Sequence, residues 1–167
     1  MLEPSPNALQ LLYKYEVGGG QRYYEKKLSK FTWPKGFSGP TIGIGIDTAY
    51  YSAKEIANIF YFLPPDQIKL IQGAYGKKGE AGKEYTVTLR KADIEVPWDK
   101  AVEIFKTLTW PKFANLAEKT FQGLDQLDPD AYGAIVSLVF NRGTSLNGPT
   151  RKEMREIKSL VPHKDYE

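Results

Sequence analysis

The feature that most constrains the fold is the absence of cysteine: the 167-residue chain contains none, and its one histidine is His163. A disulfide framework, a thiolate metal site, a histidine-rich metal cluster and a Ser-His-Asp triad are therefore not expected. Stability has to come from apolar packing, and a chain of this length buries about 70% of its unfolded surface on folding. We expect one domain over residues 1–167 with one hydrophobic core.

Charge and hydropathy exclude two further classes of protein. The net charge is +3, which is far below the dense basic stripe of a nucleic-acid-binding protein. No apolar run approaches the roughly 18 residues that a membrane span needs, so we expect no membrane insertion. Residues 1–10 lack the basic region of a secretory signal, and we therefore expect synthesis in the cytoplasm without a signal peptide.

Apolar periodicity and capping residues predict a mostly helical chain with a small β element in its N-terminal third, that is, an α+β fold. A first helix is predicted over Ala8–Tyr15, with Asn7 as N-cap and glycines 18–20 as its stop. The segment 21–51 favours irregular loops and short strands, and 73–83 favours a surface loop. The later predicted helices are Ser52–Leu63, Asp66–Gln72, Pro97–Leu108, Pro111–Phe121, a helix from Asp128 to Asn141-Arg142-Gly143, and Thr150–Leu160.

The segment Thr41-Ile-Gly-Ile-Gly-Ile-Asp47 alternates β-branched residues with other residues and predicts a strand. On one strand, Thr41, Gly43, Gly45 and Asp47 share a face, with the glycines leaving room for a ligand. A hydroxyl and a carboxylate on one face can hold a water molecule as a nucleophile. The alternative is an ordinary strand with glycine bulges.

Glu16 is predicted at or just past the last turn of the first helix. The negative end of the helix dipole and the neighbouring Tyr15 and Val17 would raise the pKa of its carboxyl group, as a general acid requires. The alternative is a solvated glutamate at a helix end. Asn141 has two interpretations in the same way: a helix-ending residue before Gly143, or a sugar-binding amide.

Taken in order, these segments resemble the phage-type lysozymes, the muramidases of glycoside hydrolase family 24. The resemblance covers Leu9 to about Ile157 and is sharpest at Glu16, at Thr41–Gly45 and at Ala134–Gly143. Thr32-Trp33-Pro34, Ser38-Gly39 and Asp47 look closer still to the pesticin-like branch, which includes phage endolysins and toxin domains. The resemblance implies a lysozyme-like fold with a cleft between a small lobe, about residues 17–60, and a helical lobe.

The resemblance also implies roles for individual residues. Glu16 matches the general acid and Thr41 the residue that helps to hold the catalytic water. Asp47 matches the second carboxylate of the pesticin-like branch, while Glu25 stands where the phage lysozymes carry theirs, so both remain candidates. Where the family has a histidine, this chain has Ile46.

Further implied calls concern ligands and the C-terminal end. Tyr24, Asn141 and Arg142 are the expected substrate-binding walls of the cleft, and neither a metal nor an organic cofactor is expected. The resemblance implies one more helix after the region Val161–Glu167; without it, apolar surface near Ile157 and Leu160 would be open to a partner.

The implied activity is hydrolysis of the β-1,4 bond after N-acetylmuramic acid in peptidoglycan, with inversion. The implied partners are glycan strands and a cognate immunity or inhibitor protein, with the protein itself a monomer. It would act on the cell wall or in the periplasm after release by a holin or delivery by a secretion system. Two alternatives stay open: a non-catalytic lysozyme-like protein that binds peptidoglycan, and hydrolysis of a related polymer such as chitin.

Overall fold

In a computed structural model of the chain, the described residues are 1–163, without the side chains of Glu16 and His163. The fold is mostly helical with one two-stranded antiparallel sheet, which agrees with the predicted α+β class. Within this part of the chain, no helix is long and apolar enough to cross a membrane. The elements are α1 Pro6–Glu16, α2 Gln21–Lys27, β1 Thr41–Ile42, β2 Ile46–Asp47, α3 Ala53–Ile59, α4 Pro65–Gln72, α5 Gly79–Lys91, α6 Trp98–Ile104, α7 Trp110–Thr120, α8 Pro129–Arg142 and α9 Lys152–Leu160.

The chain divides into two compact units. The first unit comprises 1–15 and 105–167, and the second comprises 16–104. The small lobe expected over 17–60 lies inside the second unit, which continues to Ile104.

The first unit is built on the packing of α7 against α8, together with most of α1. Ala8 of α1 lies against Gly133 of α8, where a Cβ would have no space. The Trp110 and Tyr132 rings pack at 6.2 Å between centroids, and both side chains are buried. Helix α8 starts and ends at the predicted signals, because Asp128 caps its first turn and Gly143 follows its last residue.

The start of α1 differs from the prediction. The helix begins at Pro6 and its first turn is capped by Ser5, whose Oγ accepts the N–H of Ala8 at 3.0 Å. Asn7 is therefore not the N-cap; its side-chain amide donates to Asp130 of α8 at 2.7 Å. At the other end of this unit, Ile157 is half-buried and Leu160 is 42% exposed, while residues 164–167 lie outside the described part of the chain.

The second unit contains two helices, α2 and α5, that the sequence pattern does not predict. Helix α2 lies in the segment expected to be irregular, and α5 begins within the expected loop 73–83 and continues to Lys91. Neither helix has a side-chain N-cap, and α5 buries only Gly82, Thr86 and Leu89, so its apolar signal is weak. By contrast, the Ser52–Glu55 capping box at the start of α3 is present as predicted, although α3 ends at Ile59 rather than Leu63.

Candidate functional site

The segment Thr41–Asp47 forms a β-hairpin, so the prediction of one continuous strand is wrong. Gly43 and Gly45 have φ angles of 68° and 77°, which glycine adopts without a steric penalty, and the chain reverses there. In the antiparallel register, Thr41 pairs with Asp47 and Ile42 with Ile46. Thr41 and Asp47 therefore lie directly opposite each other, with Cβ atoms about 5 Å apart as in any cross-strand pair.

The Asp47 carboxylate is held by two backbone N–H groups. Gly39 donates to Oδ2 at 2.9 Å, and Ala49 donates to Oδ1 at 3.1 Å. The second bond makes Asp47 the N-cap of a short 3₁₀ helix, Thr48–Tyr50. With one donor on each oxygen, the carboxylate has a fixed orientation and still has lone pairs available for a further donor.

Gly39 also orients the Thr41 hydroxyl. Thr41 Oγ1 donates to the Gly39 carbonyl oxygen at 3.2 Å, so the hydroxyl proton is engaged and the oxygen lone pairs remain. The Thr41 backbone is fixed as well, since it exchanges two hydrogen bonds with Thr32 at 2.7 and 2.8 Å. Both Thr41 and Asp47 are half-buried, which leaves them accessible to solvent.

Gly39 has no space for a side chain. A Cβ at this position would lie 2.5 Å from Asp47 Oδ1 and 2.9 Å from the carbonyl oxygen of Lys77, and it would also overlap the Ala49 methyl group. Backbone conformation does not require the glycine, because its φ is not positive. Close packing around the Asp47 carboxylate requires it.

Glu16 is the last residue of α1, at the helix end where the sequence placed it. Its side chain lies outside the described residues. The following residue, Val17, is buried, and Gly18, Gly19 and Gly20 all have positive φ, so a glycine turn ends the helix.

Glu25, the other candidate for the second carboxylate, lies on α2 and is exposed. It accepts a hydrogen bond from Gln21 Nε2 at 2.7 Å. Together with Glu95, Trp98 and Asp99 it lines a cavity of about 590 Å³ in the second unit. Among the described residues, no group of three or more His, Asp or Glu side chains is arranged to hold a metal ion.

Tyr24 is packed in the core and also lines this cavity, so its expected role in substrate binding stays a prediction. The side chain has no exposed surface, its hydroxyl donates to the Val96 carbonyl oxygen at 2.8 Å, and its ring meets Trp98 edge-on. Burial, and then the charges of Glu95 and Asp99, raise the pKa of Tyr24 well above its usual range. Tyr24 therefore joins α2 to the segment before α6.

Asn141 and Arg142 occupy the last turn of α8 in the first unit, and both are exposed. Asn141 Nδ2 donates to the Ser137 carbonyl oxygen at 3.0 Å, a bond within the helix. The structure thus brings Thr41 and Asp47 together, whereas Asn141 and Arg142 belong to the other unit.

Two parts of the candidate site had no sequence signal. Gly39 precedes a proline in a glycine-rich loop, and nothing local distinguishes it from Gly36. The ammonium group of Lys78 lies 3.5 Å from the ring centroid of Tyr50, a contact between residues 28 positions apart.

Comparison with protein-family models, with curated proteins and with solved structures gives no significant match.

Proposed function

We propose that this protein is a peptidoglycan-cleaving muramidase with a lysozyme-like fold. The observation that carries the proposal is the Thr41–Asp47 pair across the hairpin, with both side chains oriented by Gly39. Two acceptors side by side suit a water molecule, which donates one proton to each. The water oxygen is then directed away from the hairpin, as a nucleophile must be.

In the proposed reaction, Asp47 accepts a proton from this water while the water oxygen forms a bond to C1 of N-acetylmuramic acid. The glycosidic C1–O bond breaks, and Glu16 donates its proton to the departing oxygen of N-acetylglucosamine. The reaction leaves Asp47 protonated and Glu16 ionised, and exchange with solvent restores both. Attack from the face opposite the leaving group inverts the anomeric centre, which requires carboxyl groups about 6.5–9.5 Å apart.

We prefer Asp47 to Glu25 as the second carboxylate because Asp47 lies opposite the Thr41 hydroxyl. A hydroxyl group lies opposite Asp47 across the hairpin, whereas the Glu25 carboxylate accepts a hydrogen bond from the side-chain amide of Gln21 on its own helix. The proposal includes action at the cell wall as a monomer after release by a holin or a secretion system. A cognate inhibitor belongs to the same proposal.

One observation favours a second candidate, a non-catalytic protein that binds peptidoglycan. The bonds of Asp47 to Gly39 and Ala49 are also those of a structural cap, which needs no catalytic role. In that case the carboxylate stabilises the 3₁₀ turn and nothing more.

Asp47→Asn separates the two candidates. The amide keeps the size of the side chain but accepts from only one of the two N–H groups, so we expect a loss of about 1–2 kcal/mol in the free energy of unfolding. A muramidase also loses at least roughly 100-fold in the rate of muropeptide release from purified sacculi. A binding protein shows no release in either form and co-sediments with sacculi equally well in both.

A further inference from the structure

A lysine-bearing loop lies beside the turn that Asp47 caps. The N–H of Gly76 donates to the Ala49 carbonyl oxygen at 3.0 Å. On the other side, the Lys77 carbonyl oxygen approaches Gly39 so closely that a Cβ there would lie 2.9 Å from it. The backbone of Gly76 and Lys77 is therefore packed against Gly39 and Ala49, the two residues that hold the Asp47 carboxylate.

The lysines of this loop are held by aromatic rings. The ammonium of Lys78 lies 3.5 Å from the centroid of Tyr50, and that of Lys77 lies 4.9 Å from the centroid of Tyr85. Within residues 1–163, neither ammonium has a carboxylate within ion-pair distance, unlike Lys30, Lys83 and Lys100 of the same unit. Ring contacts position an ammonium group without neutralising its charge.

Exposed aromatic side chains lie on the two segments next to this loop. Tyr50 is 60% exposed, and Phe37, in the loop that packs on the start of α5, is 89% exposed. That loop is fixed by the N–H of Gly79, which donates to the Ser38 carbonyl oxygen at 3.1 Å. We call Phe37, Tyr50, Lys77 and Lys78 the lysine–aromatic surface.

We infer that the lysine–aromatic surface binds the carboxylates of the peptide stems that N-acetylmuramic acid carries. The inference rests on the proposed muramidase function. The stem is attached to the lactyl group of the same sugar whose C1 the Asp47-bound water attacks, so the stem leaves the glycan next to Asp47. Its free carboxylates are ionised at neutral pH, and the loop packed against Gly39 and Ala49 carries two unneutralised ammonium groups that attract them.

The charge of the surface also favours stems over a phosphate polymer. Recognition of a phosphate polymer depends on many cationic contacts along the chain, and here two lysines stand together. Exposed Tyr50 and Phe37 rings suit the apolar parts of a stem residue. The inferred ligand is thus the part of the substrate that distinguishes peptidoglycan from chitin, which has no stems.

The test compares two double variants on two substrates. Lys77→Gln/Lys78→Gln removes two charges from the surface. Lys112→Gln/Lys119→Gln removes two charges from exposed positions on α7 in the other unit and serves as the matched control. Each protein is assayed on intact sacculi and on the same sacculi after an amidase has removed the peptide stems, and thermal unfolding verifies that each is folded.

We expect the Lys77/Lys78 variant to raise KM on intact sacculi about fivefold or more, with kcat within twofold. The change on stem-free glycan should be smaller, because each muramic acid there keeps only the lactyl carboxylate that the amidase exposes. The control variant should match the wild type on both substrates. Tyr50→Leu, which removes the ring that holds Lys78, should give a smaller rise in KM on intact sacculi only.

Equal losses on both substrates would overturn the inference, because the lysines would then act on the glycan itself or on a phosphate polymer attached to it. An unchanged KM on intact sacculi would overturn it as well, while the muramidase proposal would stand. If the wild type cleaves neither substrate, the muramidase proposal and the inference fall together.

Discussion

The backbone N–H of Gly39 donates to the carboxylate of Asp47 at 2.9 Å, eight residues further along the chain. The carbonyl group of the same glycine accepts the Thr41 hydroxyl proton. The backbone of Gly39 therefore orients both Thr41 and Asp47. It can lie this close to Asp47 only because Gly39 has no side chain.

Gly39→Ala should disturb both the pair and the packing behind it. The added methyl group would meet Asp47, Ala49 and the Lys77 backbone, so we expect a loss of about 1–3 kcal/mol in the free energy of unfolding. Muropeptide release should fall about tenfold or more, because the carboxylate has to move. Urea unfolding and the rate of release measure the two effects.

Gly36→Ala is the control for that variant. Gly36 has a φ of 61° and no atom within 4 Å of the added Cβ, so its substitution introduces backbone strain without a contact. It should lower stability by about 1 kcal/mol and leave release unchanged. A fully active Gly39→Ala protein of wild-type stability would contradict the orienting role of Gly39.

Thr41→Val tests the hydroxyl group without changing the size of the side chain. It removes the bond to the Gly39 carbonyl and one of the two acceptors for the proposed water. We expect a roughly 10–100-fold drop in kcat with KM little changed, and a loss of about 1 kcal/mol in stability. Thr41→Ser keeps the hydroxyl, so its kcat should be close to that of the wild type. Equal kcat values for Thr41→Val and Thr41→Ser would show that the Thr41 hydroxyl takes no part in the reaction.

Tyr24→Phe should affect stability and leave activity unchanged. The variant loses the bond to Val96 but keeps the ring against Trp98, at a cost of about 1–2 kcal/mol. A raised tyrosine pKa stabilises the fold below the ordinary pKa of 10.0, and this contribution disappears as the pH rises above it. The wild type should thus lose stability more steeply above about pH 10 than Tyr24→Phe does. A several-fold higher KM for Tyr24→Phe than for the wild type would instead indicate that Tyr24 contacts the substrate.

Asp130 makes the first unit sensitive to acid. The Ser5 hydroxyl and then the Asn7 amide donate to its carboxylate and hold its pKa below the usual 3.8. A lowered carboxyl pKa stabilises the fold above the ordinary value, and this stabilisation is lost as the pH falls below about 4. Asp130→Asn should therefore lower Tm at about pH 6, and the difference from the wild type should narrow towards about pH 3.

Glu153→Gln is the control for the Asp130 experiment, since it removes an exposed carboxylate from α9 of the same unit. Its Tm should stay close to that of the wild type at both pH values. A difference between Asp130→Asn and the wild type that is the same at both pH values would show that the charge of Asp130 does not couple to folding.

Local capping chemistry made some elements predictable from the sequence. The Ser52–Glu55 box and the Asp128-Pro129 start of α8 were found because each signal lies within four residues of the bond that it makes. Helices α2 and α5 carry no such signal. Ordered packing against the rest of the second unit, not local propensity, determines that they are helical.

The candidate site shows the same limit. Thr41 and Asp47 lie opposite each other as a cross-strand pair and not along one strand, because Gly43 and Gly45 act as turn residues rather than as gaps in a strand. The core position of Tyr24 depends on Val96, 72 residues away, and the orientation of Asp47 depends on a loop amide. Neither partner could be identified from residue types alone.

The most direct test of the account measures soluble fragments released from purified sacculi by the wild type and by Glu16→Gln, with mass analysis of the products. The account predicts muropeptides with muramic acid at the reducing end from the wild type. It also predicts at least roughly 100-fold slower release by the variant, which should bind sacculi as the wild type does. A folded, monodisperse wild type that releases nothing, or a Glu16→Gln protein that is equally active, would contradict it.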